Sequence, residues 1–143
     1  LPVTVFGEGW EKYSCGDEHS LRREPAVPFA LSFERIAKAH VLLNVSPIFN
    51  RGMHDRVPAG MANHAVVLTD ENPYLRRTFT DGKELLFYSL EKPDTLCEQA
   101  ERTLTDVRLR EKIAASAYET FEREYTWKRR AEQILAFAEE VEA

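Results

Sequence analysis

Cysteine is scarce here: 143 residues hold two, Cys15 and Cys97. Two thiols so far apart build neither a disulfide framework nor a zinc knuckle, and they suit a reducing cytoplasm. No apolar run approaches the ~20 residues that a membrane-spanning helix needs, and no signal peptide opens the chain. No membrane span is expected. The sequence has no His-x-x-x-His or Cys-x-x-Cys spacing for a metal, no nucleophile elbow and no Gly-x-x-x-x-Gly-Lys-Ser/Thr phosphate loop. Metalloenzyme, serine-hydrolase and P-loop readings therefore lack their parts. There is no internal repeat and no low-complexity tract.

A concentrated basic surface is missing too. Net charge is −5, and the basic clusters Arg22-Arg23, Arg76-Arg77 and Lys128-Arg129-Arg130 are short and flanked by acids. Binding to nucleic acid depends on a positive patch that releases counterions, so nucleic acid is not an expected partner. The length fits one domain. The chain starts Leu1-Pro2-Val3 and enters a strand-like run almost at once. We therefore expect a fragment, 1–143, of a longer protein.

What the sequence does have is alternation of strand-like and helix-like segments, the pattern of a doubly wound, mostly parallel α/β sheet. Val3 to Phe6 reads as a buried strand ending at Gly7. A long polar loop follows to residue 24, and Ala26-Val27 is a candidate second strand. Ser32 to His40 has helical spacing through Phe33, Ile36, Ala37 and His40. Val41 to Val45 is the clearest buried strand. Met53 to Asn63 is the next helix, with Pro58 expected to kink it or to sit in its first turn. Ala65 to Thr69 is a strand, and Asn72-Pro73 opens a helix to about Phe79 with Asn72 as cap. Leu85 to Tyr88 is the last strand. Three C-terminal helices follow. The second is capped by Asp106 and striped by Leu109, Ile113, Ala117 and Phe121. The third is capped by Thr126 and striped by Trp127, Ala131, Ile134, Ala138 and Val141. Both stripes read as core packing.

Ligands of such sheets lie outside the carboxyl ends of the strands, which directs attention to the loops after Phe6, Val45, Thr69 and Tyr88. The first loop, Gly7-Glu8-Gly9-Trp10, begins like a dinucleotide fingerprint. The third glycine is replaced by Lys12, so NAD is not expected; what remains is a backbone that lets a ligand approach, or an ordinary glycine turn. The second loop runs from Ser46 through Arg51, Gly52, Met53, His54, Asp55 and Arg56 into a helix. Free N–H groups at a helix start, with Arg51, His54 and Arg56 beside them, suit a diphosphate. Asp55 is placed to cap the helix or to accept from a hydroxyl. The competing assignments are an Arg56–Asp55 salt bridge and a surface role for His54. In the third loop Asp70 is a candidate for binding hydroxyls, whereas Glu71 reads as a solvated acid.

The strings VLLNVSP, GMHDRVPAGMANHAVVLTD, FTDGKELLFY and LREKIAASAYETFEREYTWKRRAEQIL occur in that order between Val41 and Ala136. Together with GEGW near the start, this series resembles the C-terminal domain of group 1 glycosyltransferases with the GT-B fold, and within them the spore-maturation CgeB-like branch. The resemblance implies a domain that binds a nucleoside-diphosphate sugar. A preceding Rossmann-like domain, absent here, would bind the acceptor and supply the catalytic base. It implies no metal and no cofactor. By matched position Gly52 to Arg56 would face the diphosphate and sugar, Gly7 and Gly9 would approach the donor, and Asp70 would lie near the donor sugar or ribose. No catalytic residue is assigned within the chain, and the isolated domain is expected to be inactive. Its last helices would reach back to the missing domain, leaving apolar surface through which the fragment can form a homodimer.

Three positions depart from the family. Its two glutamates, eight residues apart, fall on Arg51 and Ala59, and the glycine that usually ends the intervening helix is His64. A non-catalytic GT-B-like nucleotide-binding or scaffolding module is therefore the main alternative. An epimerase fragment or a receiver-like domain is a further one, opposed by the broken glycine fingerprint and by the absence of an acidic pair after the first strand.

Overall fold

The computed structural model describes residues 1–13, 20–48 and 51–142; Cys15 lies outside them. The chain divides into two compact units, Leu1–Arg35 and Ile36–Ala143.

In the first unit β1 (Val3–Phe6) pairs in parallel with β2 (Leu21–Glu24), Val3 opposite Leu21. The second strand is thus not Ala26-Val27. Pro25 and Pro28 bracket that dipeptide, and proline has no N–H for a ladder. The ladder is instead closed by Val3 N–H on the Ser20 carbonyl (2.8 Å) and Gly7 N–H on the Glu24 carbonyl (3.1 Å). Arg22, on the exposed side of β2, pairs with Glu24. Helix α1 (Phe29–Ile36) begins three residues before the expected Ser32. The Pro28 carbonyl accepts from the N–H groups of Leu31 and Ser32, and Phe29 meets Phe33 edge-on one turn later at 5.0 Å.

The second unit is built on the parallel strands β3 (Val41–Asn44), β4 (Val66–Asp70) and β5 (Leu86–Tyr88), in that spatial order. The central strand β4 is buried at every residue, as expected for a parallel strand covered on both faces. The helices are α2 (Arg56–Ala62), α3 (Pro73–Thr78), α4 (Asp94–Thr105), α5 (Val107–Glu124) and α6 (Trp127–Glu142). Alternate residues of the strands feed two apolar clusters. Val67 and Phe87 pack with Val57 and Met61 of α2 and with Leu75 of α3. Val66, Leu68, Leu86 and Tyr88 pack with Ala100 of α4 and Ile113 of α5. Helices thus cover both faces of a parallel sheet, the doubly wound arrangement the alternation implied.

The expected caps are present. Asn72 Oδ1 accepts from Leu75 N–H (2.8 Å), Asp106 Oδ1 from Leu109 N–H (2.9 Å) and Thr126 Oγ1 from Arg129 N–H (3.3 Å). Helix α2 is shorter than its sequence pattern, starting at Arg56 rather than Met53. Pro58 is its third residue, inside the first turn, where no N–H is needed for the intrahelical ladder. Gly60, a poor helix former, is explained by packing. A Cβ there would lie 2.5 Å from Val67 Cγ2 and 3.0 Å from Leu42 Cδ2, so glycine lets α2 lie against β3 and β4. Past the helix end, His64 adopts φ 56°, the left-handed conformation that favours glycine. Its ring stacks on Tyr118 at 4.2 Å.

Helix α6 overturns one expectation. Its stripe is not core: Trp127 is 90% exposed, Ile134 68% and Val141 69%, and Leu135 and Phe137 widen the exposed apolar face. Helical spacing specifies a face that buries, not what buries it. At its start α6 is tied down by Arg129 Nε, which donates to the Arg123 carbonyl (2.8 Å), and by Arg130 over the Tyr125 ring. Among the described residues no helix is long and apolar enough to cross a membrane.

Candidate functional site at the carboxyl edge of the sheet

The three strands of the second unit end in buried polar residues. Asn44 closes β3, Thr69 and Asp70 close β4, and Tyr88 closes β5; all are under 5% exposed. They form one connected network. Asn44 Nδ2 donates to Thr69 Oγ1 (2.9 Å) and to Ser46 Oγ (3.1 Å). The Tyr88 hydroxyl donates to the Asn44 carbonyl (3.1 Å). Ser46 N–H donates to Asp70 Oδ1 (2.8 Å). Buried polar groups must find partners, and here the partners lie on neighbouring strands, so the network fixes how the loop leaves β3. Burial pushes the Tyr88 phenol up to about 12, the Asp70 carboxylate adds to the rise, and the Arg56 cation opposes it. Arg56, at the start of α2, therefore lies within electrostatic reach of Tyr88 at the end of β5.

The loop itself is organised by His54 and Asn72. His54 Nδ1 accepts from both the backbone N–H and the Nε of Arg56, each at 3.2 Å. The same nitrogen contacts the Asp55 carboxylate. The two kinds of contact call for opposite states of Nδ1, a lone pair for Arg56 and a proton for Asp55. Asp55 does not cap α2 through its side chain, so the capping role offered for it is not the one it plays. Neither is Arg56 spent on a salt bridge to Asp55. The free N–H groups expected at this helix start are also largely used within the chain. Those of Arg56, Val57 and Ala59 go to His54 Nδ1, the His54 carbonyl and the Asp55 carbonyl, and Pro58 has none. Cationic side chains, not a backbone cradle, are what this loop offers an anion.

Asn72 caps α3 through Oδ1 and also donates through Nδ2 to the Gly52 carbonyl (3.3 Å), tying the loop after β3 to the loop after β4. Among the described residues, its chain neighbours aside, nothing lies within 4 Å of where a Cβ on Gly52 would be. Arg51 is exposed. Met53 turns inward against the cluster of Val57, Met61 and Leu75. Glu71 pairs with Arg76 at the surface, the solvated role read for it.

The structure therefore brings Ser46, Gly52, His54, Asp55, Arg56 and Asp70 to one edge of the second unit, with Arg51 on the same loop. Gly7 and Gly9 belong to the first unit, at φ 123° and 90°, conformations that justify glycine at both. Sequence reasoning missed Asn44, Thr69, Tyr88 and the second role of Asn72. The available signal was a polar residue closing an otherwise apolar strand, in LLN, VLTD and LFY.

Parallel strands covered on both faces, with a polar cluster at their carboxyl ends, define an α/β domain of the doubly wound class. The chain belongs to the glycosyltransferase family described as glycosyl transferase-like, which it matches over residues 1–136. No curated protein matches it significantly. Its fold is similar to that of HepE from Anabaena, solved in complex with UDP-glucose, at 11% identity and TM-score 0.73 over 86% of this chain. The HepE complex with UDP gives 10% identity and TM-score 0.74 over the same 86%. The C-terminal domain of a group 1 glycosyltransferase, LpcC from Francisella tularensis, matches at 13% identity and TM-score 0.56, covering 75% of this chain and 69% of that one. The chain spans about a third of the length of HepE, 33% in both complexes.

Proposed function

We propose that this chain is the donor-binding half of a glycosyltransferase that moves a sugar from a nucleoside-diphosphate sugar to an acceptor. The observation that carries the reading is the placement of Arg56 at the carboxyl edge of the parallel sheet, coupled to Tyr88 and set on a loop braced by Asp70 and Asn72. Arg56 and the exposed Arg51 would stabilise the diphosphate as negative charge develops on it, with Gly52 leaving room beside them. Ser46 and Asp70, both buried, would shape the site from beneath. The family match and the fold shared with HepE support the same reading. The N-terminal domain would bind the acceptor and supply the base, and the exposed apolar face of α6 would pack against it. Without that domain the chain would be inactive and prone to pair with itself. The CgeB-like branch and a cytoplasmic location belong to the same proposal.

Calorimetric titration with UDP, GDP and TDP tests it. One nucleotide should bind saturably, and Arg56→Ala should weaken it by about tenfold or more, as expected for loss of a charged contact. A folded Arg56→Ala variant that binds as well as the parent refutes the assignment. A second reading, a non-catalytic nucleotide-binding module, draws on the missing carboxylates at Arg51 and Ala59; sugar transfer by the longer protein would exclude it.

A further inference from the structure

The 3₁₀ turn Trp10–Lys12 in the first unit displays aromatic rings that the donor reading leaves unused. Trp10 is 41% exposed and Tyr13 69%, yet the backbone and the indole beneath them are held. Arg23 Nε donates to the Trp10 carbonyl (3.2 Å) and its Nη2 to the Tyr13 carbonyl (2.8 Å). Trp10 Nε1 donates to the Phe6 carbonyl (3.3 Å) and sits 3.7 Å from where a Cβ on Gly7 would be. The two rings stand 6.4 Å apart at 58°. They form a corner of an open recess of about 330 Å³, completed by Glu8, Gly9 and Lys12.

Exposed aromatics on a braced turn are characteristic of a binding surface, since their area is offered with little ordering entropy left to lose. The shape and charge of the recess narrow the ligand. Rings inclined at 58° cannot sandwich a flat base between parallel faces. Among the lining residues the carboxylate of Glu8 offsets the ammonium of Lys12, and the Arg23 guanidinium is committed to the Trp10 and Tyr13 carbonyls, so the recess lacks the clustered cations that a diphosphate calls for. A carboxylate accepts from hydroxyls, an ammonium donates to them, and an indole face packs on the C–H face of a sugar ring. We infer that the Trp10–Tyr13 corner, with Glu8 and Lys12, is a subsite for a neutral pyranose ring. This deepens the glycosyl-transfer reading and rests on it for the choice of sugars; the ring can come from the donor or from the acceptor.

Trp10 reports on the subsite once the exposed Trp127 is replaced. In a Trp127→Phe background, tryptophan emission is followed during titration with methyl pyranosides of glucose, galactose, mannose and N-acetylglucosamine, and with UDP and UDP-glucose. At least one pyranoside should change Trp10 emission saturably. Tyr13→Ala, which alters an exposed ring, and Glu8→Gln should each weaken that binding, the first by about tenfold. Pyranoside binding abolished by saturating UDP-glucose but retained with UDP assigns the ring to the donor. Binding that persists with UDP-glucose assigns it to the acceptor. If no pyranoside perturbs Trp10 saturably, or if Tyr13→Ala and Glu8→Gln leave the pyranoside response unchanged, the subsite is refuted. Arg56→Ala separates this from the donor reading. It should leave pyranoside binding unchanged, while nucleotide binding without any pyranoside effect would overturn the subsite alone.

Discussion

Replacing Gly60 by alanine should destabilise the domain, although alanine is the better helix former. The substitution gains ~0.8–1 kcal/mol of helix propensity. Against this, the new Cβ would meet Val67 Cγ2 at 2.5 Å and Leu42 Cδ2 at 3.0 Å, where carbons pack comfortably at roughly 3.5–4.0 Å. Leu42 can turn its δ-methyls away. Val67 cannot follow: it is fully buried, β-branched, and on the central strand, which has a neighbour on each side. Relief therefore requires α2 to move outward by roughly 1 Å, and overpacking of this kind costs about 1–3 kcal/mol. The net expectation is a loss of up to about 2 kcal/mol, read as a lower urea midpoint with unchanged slope. In a Val67→Ala background the obstacle is gone, and Gly60→Ala should become neutral or stabilising. A Gly60→Ala variant that raises the midpoint in the parent background would refute the argument. Because α2 carries Arg56 at its first turn, the displaced helix should also bind the preferred nucleotide more weakly.

Asn72 separates capping from loop bracing. Asn72→Ala should cost about 1 kcal/mol through the lost cap and weaken nucleotide binding, whereas Asn72→Asp keeps the cap to Leu75 but loses the donor to the Gly52 carbonyl, so by calorimetry only binding should fall. Tyr88 predicts an alkaline limb: burial lifts its phenol from the ordinary 10.0 to about 12, so its contribution is intact below about 10 and is lost as pH rises towards 12. Denaturant titrations should show that slope reduced in Tyr88→Phe, which also loses ~1 kcal/mol for the hydrogen bond to the Asn44 carbonyl. At His64, a β-branched residue forced to φ 56° should cost about 1–2 kcal/mol in His64→Val, while thermal denaturation should place His64→Gly within about 1 kcal/mol of the parent, relief of strain offsetting the lost stack on Tyr118.

The parts of the fold that showed in the sequence were those set by local chemistry. A strand buried on both faces must be continuously apolar, so β4 was found to within a residue. Asn72, Asp106 and Thr126 were identifiable as caps because the cap is a bond between neighbours. β2 was hidden, since LRRE has no apolar alternation and is a strand only because β1 lies beside it. Gly60 looked like a flaw in a helix until the methyl of Val67 came into view. His64 is the mirror case: the family's glycine marks a backbone conformation that persists here under a different side chain. In the site, the candidate loop followed from fold rules. Its internal economy did not, because no spacing rule foretells that His54 takes the first N–H of α2 or that Ser46 hangs on Asp70. Such bonds join residues two positions apart in one case and twenty-four in the other, and only the second brings two strands together.

On the donor reading, the charges at this edge order the ligand. Asp70 is 3% exposed with Oδ1 committed to Ser46 N–H, so it presents a buried negative charge and little surface for a hydroxyl. A diphosphate would avoid it and lie towards Arg56 and Arg51, over the open space at Gly52. In the family the resemblance points to, glutamates at the positions of Arg51 and Ala59 would hold the sugar and the ribose. Here one is reversed in charge and the other is a methyl group. On that reading the loop would exchange two groups that recognise hydroxyls for one that recognises phosphate. Long-range charge attraction carries little information about ribose or sugar, so selectivity for those parts has to come from elsewhere than this loop.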